Sequence, residues 1–295
     1  MKFTNAFTEE NPFIYIKTRY ILLCLFIVVF ILSIQAMLIY LVMGIDYKKT
    51  APDPIILGLL SNLALALTIG WTIRQLKLIQ INVRQIVGQL IIPYSWLVII
   101  GIVAARIFFS LGIFRVSYYP LSFIFPKWVA SILTQDFFLE ASKSSFPSLY
   151  YLLVIIGSLL VTPIAEAFLF QGVVLHRWSA KWGVKPAIIT LSLLYSILYS
   201  SNFLGGFSLG LMQTLFYIKS KTLLVPIVAR IINNAIIFVI FFLTISVESS
   251  VETFRSQLGI GVVCLASSTP LLIWLLYKNR IRPGEKLPYF ANANR

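Results

Sequence analysis

The sequence predicts an all-α fold, a polytopic membrane helix bundle of about eight transmembrane helices. Three observations carry this expectation. The 295 residues are 59% hydrophobic and only 12% charged, whereas soluble domains run at roughly 45–50% apolar and about 25% charged. The mean hydropathy is +0.91. Several apolar runs are continuous and reach the ~20 residues that a helix needs to cross a bilayer, while a β-barrel would show short segments alternating with period two.

The first run, from Tyr20 to Met43, is too long for a signal-peptide core, and no small-residue cleavage site follows it. It reads as a retained anchor. Further spans are expected at 54–72, 86–108, 149–175, 186–200, 203–218, 222–246 and 258–277. The fifth and sixth are short and are separated by residues 200–206 (SSNFLGG), either as one helical hairpin or as a broken element. The long stretch from Phe109 to Pro147 is rich in aromatics, among them Tyr118, Tyr119 and Trp128. It reads as an interfacial segment or as a re-entrant cover over a cavity. The tail, 282–295, reads as disordered or loosely surface-bound. The expected organisation is an N-terminal segment (1–19), a transmembrane and interfacial region (20–147), a core (148–246), a last transmembrane helix (247–281) and a tail (282–295).

The formal net charge of +14 does not point to nucleic acid, because the basic residues fall in short clusters just outside the apolar runs. With the amino terminus placed in the cytoplasm, sixteen of the 24 basic residues fall on the inner side, among them Arg74, Lys77, Arg84, Arg177, Lys181, Lys219 and Lys221. Six fall outside, and Arg106 and Arg230 lie within spans. This predicts a multi-pass protein with both termini cytoplasmic, in a bacterial plasma membrane or a photosynthetic membrane. Cys24 and Cys264 lie in apolar spans and read as small hydrophobes rather than a disulfide. With a single histidine, His176, and no CxxC pair, a zinc site is not expected, nor is any cofactor.

The polar residues inside the spans are the candidates for function. Glu166 lies within the run 149–175, and a carboxylate at that depth costs several kcal/mol unless paired or facing water. Arg230, Asn233 and Asn234 share the seventh span. Arg230 and Asn234 are four apart and lie on one helical face. Arg230 and Glu166 are therefore expected to face one cavity as an ion pair. The alternative is a polar clamp that merely holds helices together. Arg106 is expected near the outer end of its span, where it can snorkel to the interface, and His176 is expected as an interfacial residue. Pro163, three positions before Glu166, either opens the backbone to water or kinks the helix for packing.

These residues resemble the motifs of the CAAX-protease and bacteriocin-processing (CPBP/Abi) family of intramembrane glutamate proteases. The first family motif is Glu-Glu, three residues and Arg, usually followed by Gly. In TPIAEAFLFQGVVLHRW, Glu166 and Gly172 match it, while Ala167 replaces the second glutamate and Gln171 the arginine. The second motif is an aromatic residue, three residues and histidine. In SLLYSILY, Tyr195 is the aromatic and Tyr199 stands at the histidine position. The third is histidine, three residues and asparagine. In KSKTLLVPIVARIINN, Pro226, Ile227 and Asn234 fit and Arg230 replaces the histidine. The resemblance covers about residues 149–240.

It implies an eight-helix bundle with a conical cavity open to membrane and cytoplasm. It also implies that Glu166, Tyr199, Arg230 and Asn234 hold the catalytic positions of a CAAX prenyl endopeptidase, with Ala167 and Gln171 at further motif positions. In the family, the first glutamate and the second-motif histidine activate a water, and the third-motif histidine and asparagine stabilise the oxyanion. Glu166 remains able to act as base, and Asn234 and Arg230 as donors. Tyr199 does not replace histidine as a base, since a phenol has a reference pKa of about 10. A fixed cation at position 230 favours the ionised carboxylate and weakens it as a proton acceptor. The site acts as a unit, so these losses compound. The sequence favours an impaired or lost protease that retains a polar cavity for a membrane protein, a lipidated peptide, a prenyl chain or a pigment. An active intramembrane endopeptidase remains open, as does a transporter, although no inverted repeat of broken helices is evident.

Overall fold

The computed structural model describes residues 11–42, 53–89, 94–133, 144–244, 250–282 and 284–293. All regular structure among them is helical. The helices are α1 (Thr18–Val42), α2 (Pro54–Leu78), α3 (Val83–Val87), α4 (Trp96–Ile124) and α5 (Pro126–Leu133). There follow α6 (Pro147–Trp182), α7 (Val184–Leu198), α8 (Phe203–Ser220) and α9 (Leu224–Thr244). The last three are α10 (Val251–Ser256), α11 (Leu258–Lys278) and α12 (Pro288–Asn292). Among the described residues, five helices are long and apolar enough to cross a membrane: α1 over Thr18–Leu38, α2, α4, α6 and α11. The helix α7 and the Leu224–Ile240 part of α9 are shorter apolar helices. This is the expected all-α polytopic membrane bundle.

Packing follows from where small residues let backbones approach. The helix α4 runs along α11 and also touches α8 and α9, while α7 and α8 form a tight hairpin. A Cβ on Gly210 of α8 would lie 2.8 Å from Tyr195 Cδ2 and 2.9 Å from the Ser192 Cα. Only glycine allows that approach, the small-residue logic of membrane helix interfaces. The core between α4, α6, α7, α8 and α9 holds Val103, Phe168, Leu191, Tyr195, Leu209, Phe216 and Ala229. The first half of α6 packs on α2 and α9, its second half on α3 and α8. At the start of α2, Asp53 Oδ1 accepts from Ile55 N–H and from Ser144 Oγ, both at 2.9 Å. Its Oδ2 accepts from Ser145 N–H, so the N-cap of α2 also ties down the approach to α6.

The geometry of α6 is set by Pro163. Proline lacks the N–H of the regular ladder, and its ring crowds the carbonyl four residues back. The helix responds by widening to π geometry on both sides, at Gly157–Val161 and at Ala167–Val174. Between them, Thr162–Glu166 is a single α-helical stretch that ends on Glu166. Such π-bulges recur at functional sites. The backbone around Pro163 thus departs from α geometry in two π segments, one on each side.

Four expectations change. The third span is α4, beginning at Trp96 rather than 86. Residues 83–87 form the separate helix α3, which Gly88 ends at φ 74°, a left-handed conformation that favours glycine. The segment from Phe109 onward begins as a continuation of α4, which runs to Ile124. Residues 134–143 lie outside the described residues. The tail is docked, not loose. Leu287 and Tyr289 are buried, and Asn292 Nδ2 donates to the carbonyls of Gln85 (2.9 Å) and Lys221 (2.8 Å). His176 is wholly buried rather than interfacial. Its Nδ1 lies 2.8 Å from Gly172 O, its Nε2 accepts from Tyr289 N–H at 3.2 Å, and Phe13 stacks on its ring at 4.7 Å. Two backbone polar groups and the rings of Phe13, Tyr217 and Tyr289 explain why the ring is buried.

Candidate active site

Three helices deliver one polar cluster. Glu166 comes from the α turn between the π segments of α6. Tyr199 follows the last turn of α7 and Arg230 lies in α9. The Tyr199 hydroxyl donates to Glu166 Oε1 at 2.6 Å. Arg230 Nη2 lies 3.3 Å from each carboxylate oxygen, so the expected ion pair is present. Arg230 Nη2 also contacts the Tyr199 hydroxyl, and the guanidinium carbon lies 4.8 Å from the centre of the tyrosine ring. The side chains of Arg230 and Glu166 are only 6% and 12% exposed. A buried pair of this kind is held chiefly because each charge alone would be costly.

Behind this cluster stands a supporting shelf. Gln171 Nε2 donates to the Tyr195 hydroxyl at 3.1 Å. The Tyr195 ring stacks on Tyr199 at 6.3 Å and 11°, while Phe170 meets Tyr195 edge-on at 5.3 Å. Gln171, at the family's arginine position, therefore steadies Tyr199 through Tyr195 instead of reaching Glu166. Ala167, at the second glutamate position, is a buried apolar contact. It offers no group to water or substrate.

Asn234 is engaged elsewhere. Its Nδ2 donates to Ser158 O at 2.7 Å, and its Oδ1 accepts from Asn233 Nδ2 at 3.1 Å. Asn233 Oδ1 in turn accepts from Arg106 Nη1 at 2.7 Å. Arg106 does not snorkel. It is 5% exposed, and its Nη2 donates to Gly205 O at 2.8 Å. The reason is position: α4 runs well past residue 106, so Arg106 sits within the bundle rather than at a helix end. Its long-range partners on α8 and α9 could not be read from sequence. The mid-span charge itself was the available signal, and the assumed early end of the helix discounted it.

The arrangement can stabilise negative charge, since Arg230, Tyr199 and the nearby asparagines are all donors. It presents one carboxylate that already accepts from two of them. Among the described residues, no group of three or more His, Cys, Asp and Glu comes together that could hold a metal ion.

A buried acid bonded to a tyrosine and an arginine thus forms a polar site inside an all-helical polytopic membrane bundle. Residues 147–236 match the family model described as type II CAAX prenyl endopeptidase Rce1-like. That stretch contains all four motif positions, Glu166, Tyr199, Arg230 and Asn234, and agrees with the resemblance drawn from the three motifs. No curated protein and no solved structure matches the chain.

Proposed function

We propose that this CAAX protease-like membrane protein has lost efficient peptide hydrolysis and retains the bundle to hold a membrane-embedded protein or lipidated-peptide partner. The supporting observation is that the Glu166 carboxylate accepts from both Tyr199 and Arg230. A general base needs a free lone pair within reach of a water. Here Oε1 is taken by a fixed cation and a donating phenol, and Oε2 is buried 3.3 Å from the same cation without a hydrogen bond. Asn234, the residual oxyanion donor, commits one amide N–H to Ser158 O and accepts from Asn233. The same ion pair counts against a simple loss of all constraint, because two charges in apolar surroundings persist only when they are matched.

The protein is integral to the membrane, and its basic flanks support placing the His176 end of the bundle in the cytoplasm. The competing reading, an active endopeptidase, is favoured by the convergence of Glu166, Tyr199 and Arg230 from the three family motifs. One experiment separates them. Membranes from cells lacking the protein are compared with membranes restored by wild type or by Glu166→Ala, reading all new peptide termini. The expected result is no terminus specific to wild type, together with a stable co-purifying partner. Termini that appear with wild type and vanish with Glu166→Ala would overturn the proposal in favour of proteolysis.

A further inference from the structure

Where α1 begins and α2 ends, the chain encloses a small pocket. Lys17 and Tyr20 line it from one side, Trp71 and Gln75 of α2 from another, and Val173 of α6 contributes a further wall. Its volume is about 70 Å³, far below the roughly 300 Å³ at which sites for whole small molecules begin. It therefore suits one compact group whose remainder stays outside.

The polar lining is unspent. Lys17 is exposed and, among the described residues, pairs with no acidic side chain. Gln75 is half-buried, and its amide makes no hydrogen bond to the described residues, which leaves two N–H donors. Arg19 stands just outside the pocket. Its guanidinium carbon lies 5.3 Å from the centre of the Tyr20 ring, and Lys17 Nζ lies 5.5 Å from the same centre. Two cations thus flank one lining ring without a carboxylate between them. The backbone that carries them is held in place. Phe13 is buried against His176 and Tyr289, and Arg177 Nε donates to Ile16 O.

The surroundings select the source of the anion. The apolar span of α1 starts at Thr18 and that of α2 ends at Leu78, so the pocket lies where both helices leave the hydrocarbon. Tyr20 and Trp71 are residue types of that boundary. Leu23 and Ile27 continue the Tyr20 face of α1 into the apolar layer, and all three are exposed. We infer that this pocket binds the phosphate of one anionic membrane phospholipid, with Lys17 and Gln75 as donors and the lipid chains along Leu23 and Ile27. The charge on Lys17 and Arg19 attracts the phosphate and repels the cationic head of a zwitterionic lipid. The site is separate from Glu166 and does not depend on whether that residue is catalytic.

The test uses the purified full-length protein in non-ionic detergent micelles carrying either dioleoylphosphatidylglycerol or dioleoylphosphatidylcholine, with retained lipid counted by native mass spectrometry. One phosphatidylglycerol should bind saturably, and phosphatidylcholine about fivefold or more weaker. Lys17→Gln should weaken phosphatidylglycerol about fivefold, the worth of one lysine at an anionic surface. Gln75→Leu, which changes no charge, should weaken it by a similar factor through the lost donors. Lys181→Gln, which removes an exposed cation outside the pocket, should leave binding unchanged. An equal loss with Lys181→Gln would reduce the effect to diffuse surface charge and overturn the inference. Undiminished binding to Lys17→Gln or Gln75→Leu, or equal retention of the two lipids, would do the same. Displacement by inorganic phosphate at the concentration of the lipid would reassign the pocket to a free anion. If Gln75→Leu lowers the thermal midpoint, the comparison of Lys17→Gln with Lys181→Gln, both at exposed positions, still decides.

Discussion

The Tyr199 hydroxyl donates to Glu166 Oε1 across 2.6 Å, joining the residue at the family's histidine position to the residue at its first glutamate. The contact is short, as expected for O–H to a carboxylate. Replacing Tyr199 by phenylalanine keeps the ring on Tyr195 and removes only the hydroxyl, which donates to Glu166 and accepts from Arg230. The expected loss is about 1–3 kcal/mol of stability, from a part-buried acceptor left with one partner fewer. Thermal unfolding in detergent measures it, and an unchanged midpoint would show that the bond contributes nothing.

Glu166 and Arg230 should behave as a coupled pair. Glu166→Gln leaves a buried guanidinium without its counter-charge, and Arg230→Met leaves a buried carboxylate, each costing about 3–5 kcal/mol. The double variant should cost much less than the sum, because no unmatched charge remains. A double-mutant cycle on unfolding free energies reads the coupling. Additive effects would mean that the two side chains do not share one environment.

At the α7–α8 crossing, Gly210→Leu should separate the helices. The new side chain begins 2.8 Å from Tyr195 Cδ2, and overpacking of this kind costs about 1–3 kcal/mol. Because Tyr195 supports Tyr199, tyrosine fluorescence should shift together with the loss of stability. A variant with wild-type spectrum and midpoint would contradict the packing described.

The docked tail makes a pH prediction. Glu285 lies 2.7 Å from Lys219 Nζ and 3.6 Å from Lys221 Nζ. Burial alone would raise its carboxyl, but the bond from Lys219, with Arg282 N–H and Lys221, holds it below its usual value. A carboxyl depressed in the folded state stabilises above its unfolded value of about 4 and loses that contribution as pH falls through the folded one. The pair is part-buried but still in contact with solvent, its side chains 16% and 18% exposed, so the effect should be about 1 kcal/mol. Amide protection in residues 284–293, taken relative to the intrinsic rate at each pH, should fall below pH ~4 in wild type. Glu285→Gln should exchange faster already at neutral pH and show little further acid dependence. Equal exchange in both proteins at neutral pH would remove Glu285 from the latch.

Asp53 titrates lower still. Burial alone would raise it, yet the N–H groups of Ser145 and Ile55 and the hydroxyl of Ser144 bring it to about 2. Its contribution should be complete above about 4 and fade as pH falls toward 2. Asp53→Asn, which keeps an acceptor oxygen but no charge, should flatten that part of the acid unfolding curve. An identical acid limb in both proteins would show that the cap does not depend on charge.

Sequence alone determined the class of fold, because bilayer thickness turns long apolar runs into helices whatever their neighbours do. It also marked Glu166, Arg230 and Asn234, since a polar group in an apolar span is conspicuous locally, and the spacing of the three motifs agreed with the matched family. Tertiary structure decided who pairs with whom. Arg106 finds Asn233 across 127 positions and Gly205 across 99. Gln171 turns to Tyr195 rather than to Glu166, Asn234 to Ser158, and His176 to the backbone of Tyr289. The cost of burying a charge or a dipole is written in the residue itself, but the partner that relieves it is chosen by which helix faces lie against each other.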